Sequence, residues 1–147
     1  MSGVGLLDVN VLVALFDPDH VHHEVAHDWF SDNRPAGWAT CPLTENGFVR
    51  VVSNAAYGSP VGGPAAVIEL FRKFCASKEH QFWPDSVSLN DGDLFNTSRF
   101  TSHRHLTDIY LLGLAVKHRG RLVTFDRTIP ANAVKGGTDA LQVVAPV

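Results

Sequence analysis

What most limits the fold of this chain is the alternation of short apolar runs with segments of helical periodicity. The runs lie at residues 4–7, 38–41, 81–83, 121–125 and 141–145. They have the length of strands, and most are apolar at consecutive positions, as strands covered on both faces must be. Between them, apolar residues recur with the period of a helix face. Val11, Leu12, Ala14 and Leu15 follow the first run, and a helix over 20–32 carries Val25, Trp29 and Phe30. Pro42 suits the first turn of the next helix, whose stripe is Phe48, Val51, Val52 and Ala55. Pro64 opens another, with Val67, Ile68, Phe71 and Phe74 on one side. The pattern predicts a short helix within 90–100 and a longer one over 106–118 that stops at Gly120. Strands alternating with helices predict an α/β fold, a parallel sheet with helices on both faces. With no repeat, linker or low-complexity tract, residues 1–147 read as one domain.

Composition removes several classes. Hydrophobic residues make up 45% and charged residues 18%, which excludes disorder as the main state. The uncharged stretch 51–68 is long enough for a short membrane span, but Gly58, Pro60, Gly62, Gly63 and Pro64 make it a loop, so no membrane is expected. The apolar stretch 4–16 is interrupted by Asp8 and has no Lys or Arg before it, unlike a signal peptide. Cys41 and Cys75 form neither a disulfide framework nor a CxxC pair; they read as small buried hydrophobes in a cytoplasmic protein. Net charge is −3, which does not advertise nucleic-acid binding. Its distribution is uneven, with two basic and eight acidic residues in 1–70 against ten and seven in 71–147. A basic face could form from Arg72, Lys73, Arg99, Arg104, Arg119, Arg121 and Arg127, although charge alone favours an ordinary solvated surface.

Four carboxylates carry the functional argument. Asp8 and Asp126 follow the first and fourth strands, and ligands of open parallel sheets bind outside the carboxyl ends of strands. Glu45 precedes Phe48 and Val52 by three and seven residues, and Asp108 stands in the same relation to Leu111, Leu112 and Ala115. Both therefore lie on apolar stripes, where a carboxylate is costly unless paired or bound to a cation. Each acid alone has an ordinary explanation: a helix cap for Asp8, a buried ion pair for Glu45, a dipole contact for Asp108, a turn for Asp126. Four at one sheet edge would repel one another and raise their own pKa values. A hard divalent cation resolves that conflict, and oxygen ligation favours Mg²⁺, with Mn²⁺ able to substitute.

These residues lie in four segments, and together the segments resemble a known family. Leu-Leu-Asp-Val-Asn-Val-Leu-Val-Ala-Leu at 6–15 is similar to the first motif of PIN-domain ribonucleases, most of all the VapC-type toxins of bacterial toxin–antitoxin pairs. Residues 43–50, 106–112 and 122–127 resemble the second, third and fourth motifs in order, so the likeness covers nearly the whole chain. It implies strand order 3-2-1-4-5 and a Mg²⁺-dependent endoribonuclease that cuts tRNA or rRNA to leave a 5′-phosphate and a 3′-hydroxyl. It also implies a homodimer inhibited by a cognate VapB-like antitoxin. By the resemblance, Asp8 and Asp108 hold the metal, Glu45 and Asp126 complete the acidic pocket, and Asn10 orients a ligand carboxylate. Val9 departs from the Thr common at its position. The alternative from another class is a catalytically inactive PIN-fold interaction module, which loss of the acids would mark.

Other chemistry-bearing residues receive plainer readings. His23 and His27 have the i, i+4 spacing that can hold zinc, but the HExxH pattern is absent. The group His20, His22, His23 and His27 is therefore assigned to surface or packing. Trp29, Trp38 and Trp83 are expected in the core. Gly3-Val4-Gly5 lacks the third glycine of a dinucleotide-binding turn, and Asn10 stands where a haloacid-type phosphatase needs its second Asp.

Overall fold

Leu6 and Leu7 are wholly buried, and they point to opposite faces of the sheet because side chains alternate along a strand. They belong to strand β1 (Gly5–Leu7), the middle of five parallel strands. The others are β2 (Trp38–Thr40), β3 (His80–Phe82), β4 (Arg121–Thr124) and β5 (Leu141–Val143). Their order is β3-β2-β1-β4-β5, as the resemblance implies. Leu6 pairs with Ala39 on one side and with Leu122 on the other. The structure, a computed structural model, describes residues 3–58 and 61–144; Pro60 of the expected loop and Ala145 of the expected last strand lie outside the described residues.

Among the described residues six helices connect the strands: α1 (Val9–Phe16), α2 (His23–Asn33), α3 (Pro42–Ser53), α4 (Pro64–Cys75), α5 (Leu106–Lys117) and α6 (Gly137–Ala140). Leu6, Ala39 and Leu122 pack against Ile109, Leu112 and Ala115 of α5. Leu7, Trp38 and Val123 pack against Val11, Phe30, Phe48 and Phe71 of the first four helices. Each face thus has its own core, which explains why β1 has no polar side chain at all. Helix α5 is buried along most of its length, with Ile109, Leu111, Leu112, Leu114 and Ala115 essentially inaccessible. Among the described residues no helix is long and apolar enough to cross a membrane, and the described part of 51–68 holds the end of α3, a short 3-10 turn (Ala55–Tyr57) and the start of α4.

Local departures from the expected elements have physical causes. Residues 90–100 form turns and a 3-10 segment, Thr97–Arg99, in place of the expected helix. The Asp91 side chain accepts from the Asp93 N–H at 2.9 Å, a local bond that competes with helix formation. Phe95 then forms an isolated antiparallel bridge with Val134 and inserts into the core, where its ring takes the space a Cβ on Gly113 would need. Helix α5 ends one residue earlier than Gly120 suggests: Arg119 holds the left-handed conformation at φ 57°. Gly120 is required for a different reason, since a Cβ there would lie 2.6 Å from both the Trp83 ring and the Val4 carbonyl. Helix α2 begins at His23, with His20 and His22 in the preceding turn. Trp38 and Trp83 are core residues as expected, whereas Trp29 and Cys75 are only half-buried.

Candidate active site

The carboxyl edge of the two central strands builds the site. Beyond Leu7, the Asp8 N–H continues the ladder by donating to the Val123 carbonyl at 2.9 Å. Asp8 then caps α1, its Oδ1 accepting from the Val9 N–H at 2.8 Å. Its Oδ2 accepts from the Thr124 hydroxyl, also at 2.8 Å. Asp8 is 6% exposed, and burial raises its pKa above the ordinary carboxylate range, with Asp126 adding to the shift against those two bonds.

Thr124, the last residue of β4, is wholly buried and joins three site residues. A hydroxyl has one proton to give, and here it goes to Asp8. The same oxygen accepts from the Asp126 N–H at 3.1 Å and from Asn10 Nδ2 at 3.4 Å. Asn10 therefore reaches Asp8 only through Thr124, and its own Oδ1 is buried with no partner. No role was expected for Thr124 from the sequence, because a β-branched residue ending a strand is ordinary strand composition.

Asp108 lies in the first turn of α5, half-buried, with its pKa pushed up to about 6 by burial first and by the charges of Asp8 and Asp126 second. Asp126 is held differently. Its Oδ1 accepts from the Thr128 hydroxyl at 2.6 Å and the Thr128 N–H at 2.8 Å, and the hydroxyl bond chiefly lowers its pKa. The structure thus brings Asp8, Asp108 and Asp126 within electrostatic reach of one another, two of them uncomfortable as anions.

Glu45, in the first turn of α3, is not one of the charges that raise Asp8 or Asp108. Its Oε2 accepts from the Thr40 hydroxyl at 2.7 Å. Because that proton is committed, His80 Nε2, 2.8 Å from the same oxygen, must be the donor in its bond to Thr40. The Glu45 charge falls on Cys75, whose thiol is pushed up to about 12 mainly by burial. A threonine at the end of β2 therefore holds Glu45 much as the threonine at the end of β4 holds Asp8.

His105 joins the site from the turn just before α5. A ring nitrogen of His105 and one oxygen each from Asp108 and Asp126 lie within 4.8 Å of one another, the one such group of three donors among the described residues. The donors fit a divalent cation: clustered carboxylates whose mutual repulsion a positive charge relieves. Two of the histidines at 20–27 make contacts with the protein itself. His23 Nδ1 lies 2.7 Å from the Ala14 carbonyl, and His22 packs on Phe125 at 5.0 Å between ring centroids.

Comparison with known proteins agrees with this geometry. The family model described as "PIN domain" matches residues 5–135. The chain is 48% identical over 133 residues to the ribonuclease VapC44 of Mycobacterium tuberculosis, which covers 90% of this chain and 93% of that protein. It is 42% identical over 136 residues to the ribonuclease VapC39 of the same organism, covering 92% and 98%. A third relative, the ribonuclease VapC38, is 44% identical over 123 residues, covering 84% and 85%.

Proposed function

The chain belongs to the PIN-domain family and within it to the VapC ribonucleases, and on that premise we propose that it is a Mg²⁺-dependent endoribonuclease acting as the toxin of a type II toxin–antitoxin pair. The observation that carries the reading is the convergence of Asp8, Asp108 and Asp126 at the carboxyl ends of β1 and β4. Asp8 and Asp108 would hold the metal, Mg²⁺ or Mn²⁺, with Asp126 beside them. When bound, it would supply a water of lowered pKa and positive charge against the phosphate oxygens.

The chain's own groups do the positioning. The Val9 N–H and the Thr124 hydroxyl fix both Asp8 oxygens, so the carboxylate is already oriented when substrate arrives. Thr40 holds one Glu45 oxygen, leaving the other to orient a water or take its proton. Thr128 engages only one oxygen of Asp126. Arg104 and Arg127, exposed next to His105 and Asp126 in the chain, supply positive charge for the flanking phosphates of an RNA. Hydrolysis in this arrangement leaves a 5′-phosphate and a 3′-hydroxyl.

A structured RNA, tRNA or rRNA, is the substrate class, and its loss halts translation and growth. The inhibitor is a cognate VapB-like antitoxin; an arginine from it would find charge-assisted partners in the acids of the pocket. A homodimer completes the assembly. Both cysteines are free thiols, which supports a reducing cytoplasm. Antitoxin-free protein incubated with tRNA and rRNA should cleave in Mg²⁺ or Mn²⁺ and stop in EDTA, with 5′-phosphate ends on the products. Cleavage undiminished by EDTA would refute the mechanism, and a metal-binding protein that leaves all RNA intact would favour the inert interaction module.

A further inference from the structure

Among the half-buried histidines, His105 is the one without a structural occupation. His118 stacks on Trp83 at 4.3 Å between centroids. His80 packs on Trp38 and bonds Thr40. His23 bonds the Ala14 carbonyl, His22 packs on Phe125, and His20 Nδ1 accepts from the His22 N–H. His105 occupies the N-cap position of α5 yet makes no side-chain cap bond. Its Nδ1 is buried with no hydrogen-bond partner, so no protein contact commits that nitrogen as a donor or an acceptor. Buried polar nitrogens are costly to leave in that condition.

The placement of the ring supplies the reason. It stands three residues before Asp108, at the end of a 3-10 turn that leads into α5. One of its nitrogens lies within 4.8 Å of oxygens of both Asp108 and Asp126. Among the described residues, neither a hydrogen bond nor an ion pair joins the imidazole to either carboxylate. Three donors that share one small cation, each about 2.1 Å from it, lie roughly 3–4 Å apart. The three groups are near enough to converge on an ion, and none of them is bonded to another.

We infer that His105 is a nitrogen ligand of the metal held in this pocket, and that it biases the site toward Mn²⁺ and other first-row divalent ions over Mg²⁺. The inference rests on reading the pocket as a nuclease metal centre. Its chemical basis is that Mg²⁺ is served by oxygen donors and water, whereas imidazole adds affinity for transition ions in the Irving–Williams order.

The test uses the full chain, with Mn²⁺ and Mg²⁺ as probes and no RNA. Mn²⁺ binding is followed by electron paramagnetic resonance, Mg²⁺ by competition, and electron spin-echo modulation reports whether a nitrogen nucleus is bound to the Mn²⁺. Wild-type protein should show imidazole nitrogen coupling. His105→Ala should lose it and bind Mn²⁺ at least about tenfold more weakly, with Mg²⁺ binding changed far less. His103→Ala, at the exposed first residue of the same 3-10 turn, should behave as wild type in both respects. Thermal melts in EDTA check folding, and since the His105 side chain caps nothing, the Ala variant should melt with wild type. Mn²⁺ that binds without nitrogen coupling, or a His105→Ala variant with an unchanged Mn²⁺ to Mg²⁺ preference, overturns the inference. If Asp108→Asn still abolishes binding in that case, the metal-centre reading survives while the His105 assignment does not. If wild type binds neither ion, both fall together.

Discussion

Replacing Thr124 by valine keeps the shape of a wholly buried side chain and deletes one hydroxyl. Three partners are affected at once: Asp8 Oδ2 loses a donor, and the Asp126 N–H and Asn10 Nδ2 lose an acceptor. A bond to a charged acceptor contributes about 1.5–3 kcal/mol, and an orphaned N–H costs roughly 1 kcal/mol more. Burying an extra methyl gives back about 1 kcal/mol. Thr124→Val should therefore lose about 1.5–3 kcal/mol in metal-free buffer near neutral pH. The loss should depend on pH with a definite sign. Asp8 has a raised pKa in the folded protein, and the Thr124 bond is what holds it down, so the variant raises it further. A carboxyl with a raised folded pKa contributes stability at low pH and loses it as pH rises through that pKa. The penalty of the variant should thus be largest with Asp8 ionised and shrink on acidification, as the acid takes a proton and no longer needs the donor. Urea unfolding in EDTA over a pH series running from about pH 8 down into the acid range measures this directly. A penalty that does not shrink anywhere on acidification would refute the claim that Thr124 acts by solvating the Asp8 charge.

Three further expectations can be checked by simple means. Asp108→Asn, which removes the charge held at about 6, should stabilise the metal-free protein by about 1 kcal/mol near neutral pH. The raw shift corresponds to about 3 kcal/mol, cut by solvent screening, and wild-type stability in EDTA should correspondingly gain as pH falls through about 6. Mn²⁺ at about a hundred times its dissociation constant should stabilise wild type by about 2.7 kcal/mol in the same melts, an increment that Asp108→Asn abolishes. Gly113→Ala places a methyl group 2.4 Å from the Phe95 ring and should cost about 1–3 kcal/mol, read from the urea midpoint; an unchanged midpoint would mean that the 90–100 segment is not packed against α5.

The layout of the fold was legible because it depends on period and order, which a sequence displays. The strand-to-acid junctions at Asp8 and Asp126 and the buried face of α5 could be read from neighbours alone. What stayed hidden depends on contacts between residues far apart in the chain. Thr124 meets Asp8 across 116 positions, and Thr40 meets His80 across 40. His105 had one local signal, its position a helical turn before Asp108, but four other histidines at 20–27 offered a denser and misleading cluster. Segment 90–100 misled for the opposite reason: helix formation there was outcompeted by the bond from the Asp93 N–H to the Asp91 side chain and by the pull of Phe95 into the core. Arg119 shows the same limit at one residue, because Gly120 reads as the helix stop while being needed to clear Trp83 and the Val4 carbonyl.

The same distinction bears on how the site is stabilised. Desolvation works against the charge on Asp8 and Asp108, so the pocket is held together at the expense of folding stability, a cost that a bound cation would offset. The fold tolerates that because the acids are attached where backbone geometry leaves little choice. Asp8 is simultaneously a ladder residue and a helix cap, and its neighbour Thr124 ends the adjacent parallel strand. Asp126 follows two residues later, tied to the same hydroxyl. Moving Asp8 out of the pocket would disturb the end of the β1–β4 pairing, whose residues Leu6, Leu7, Leu122 and Val123 are wholly buried. The apolar core between the two helical layers therefore supplies the energy that keeps like charges close, and the threonines at the strand ends decide which way those charges point.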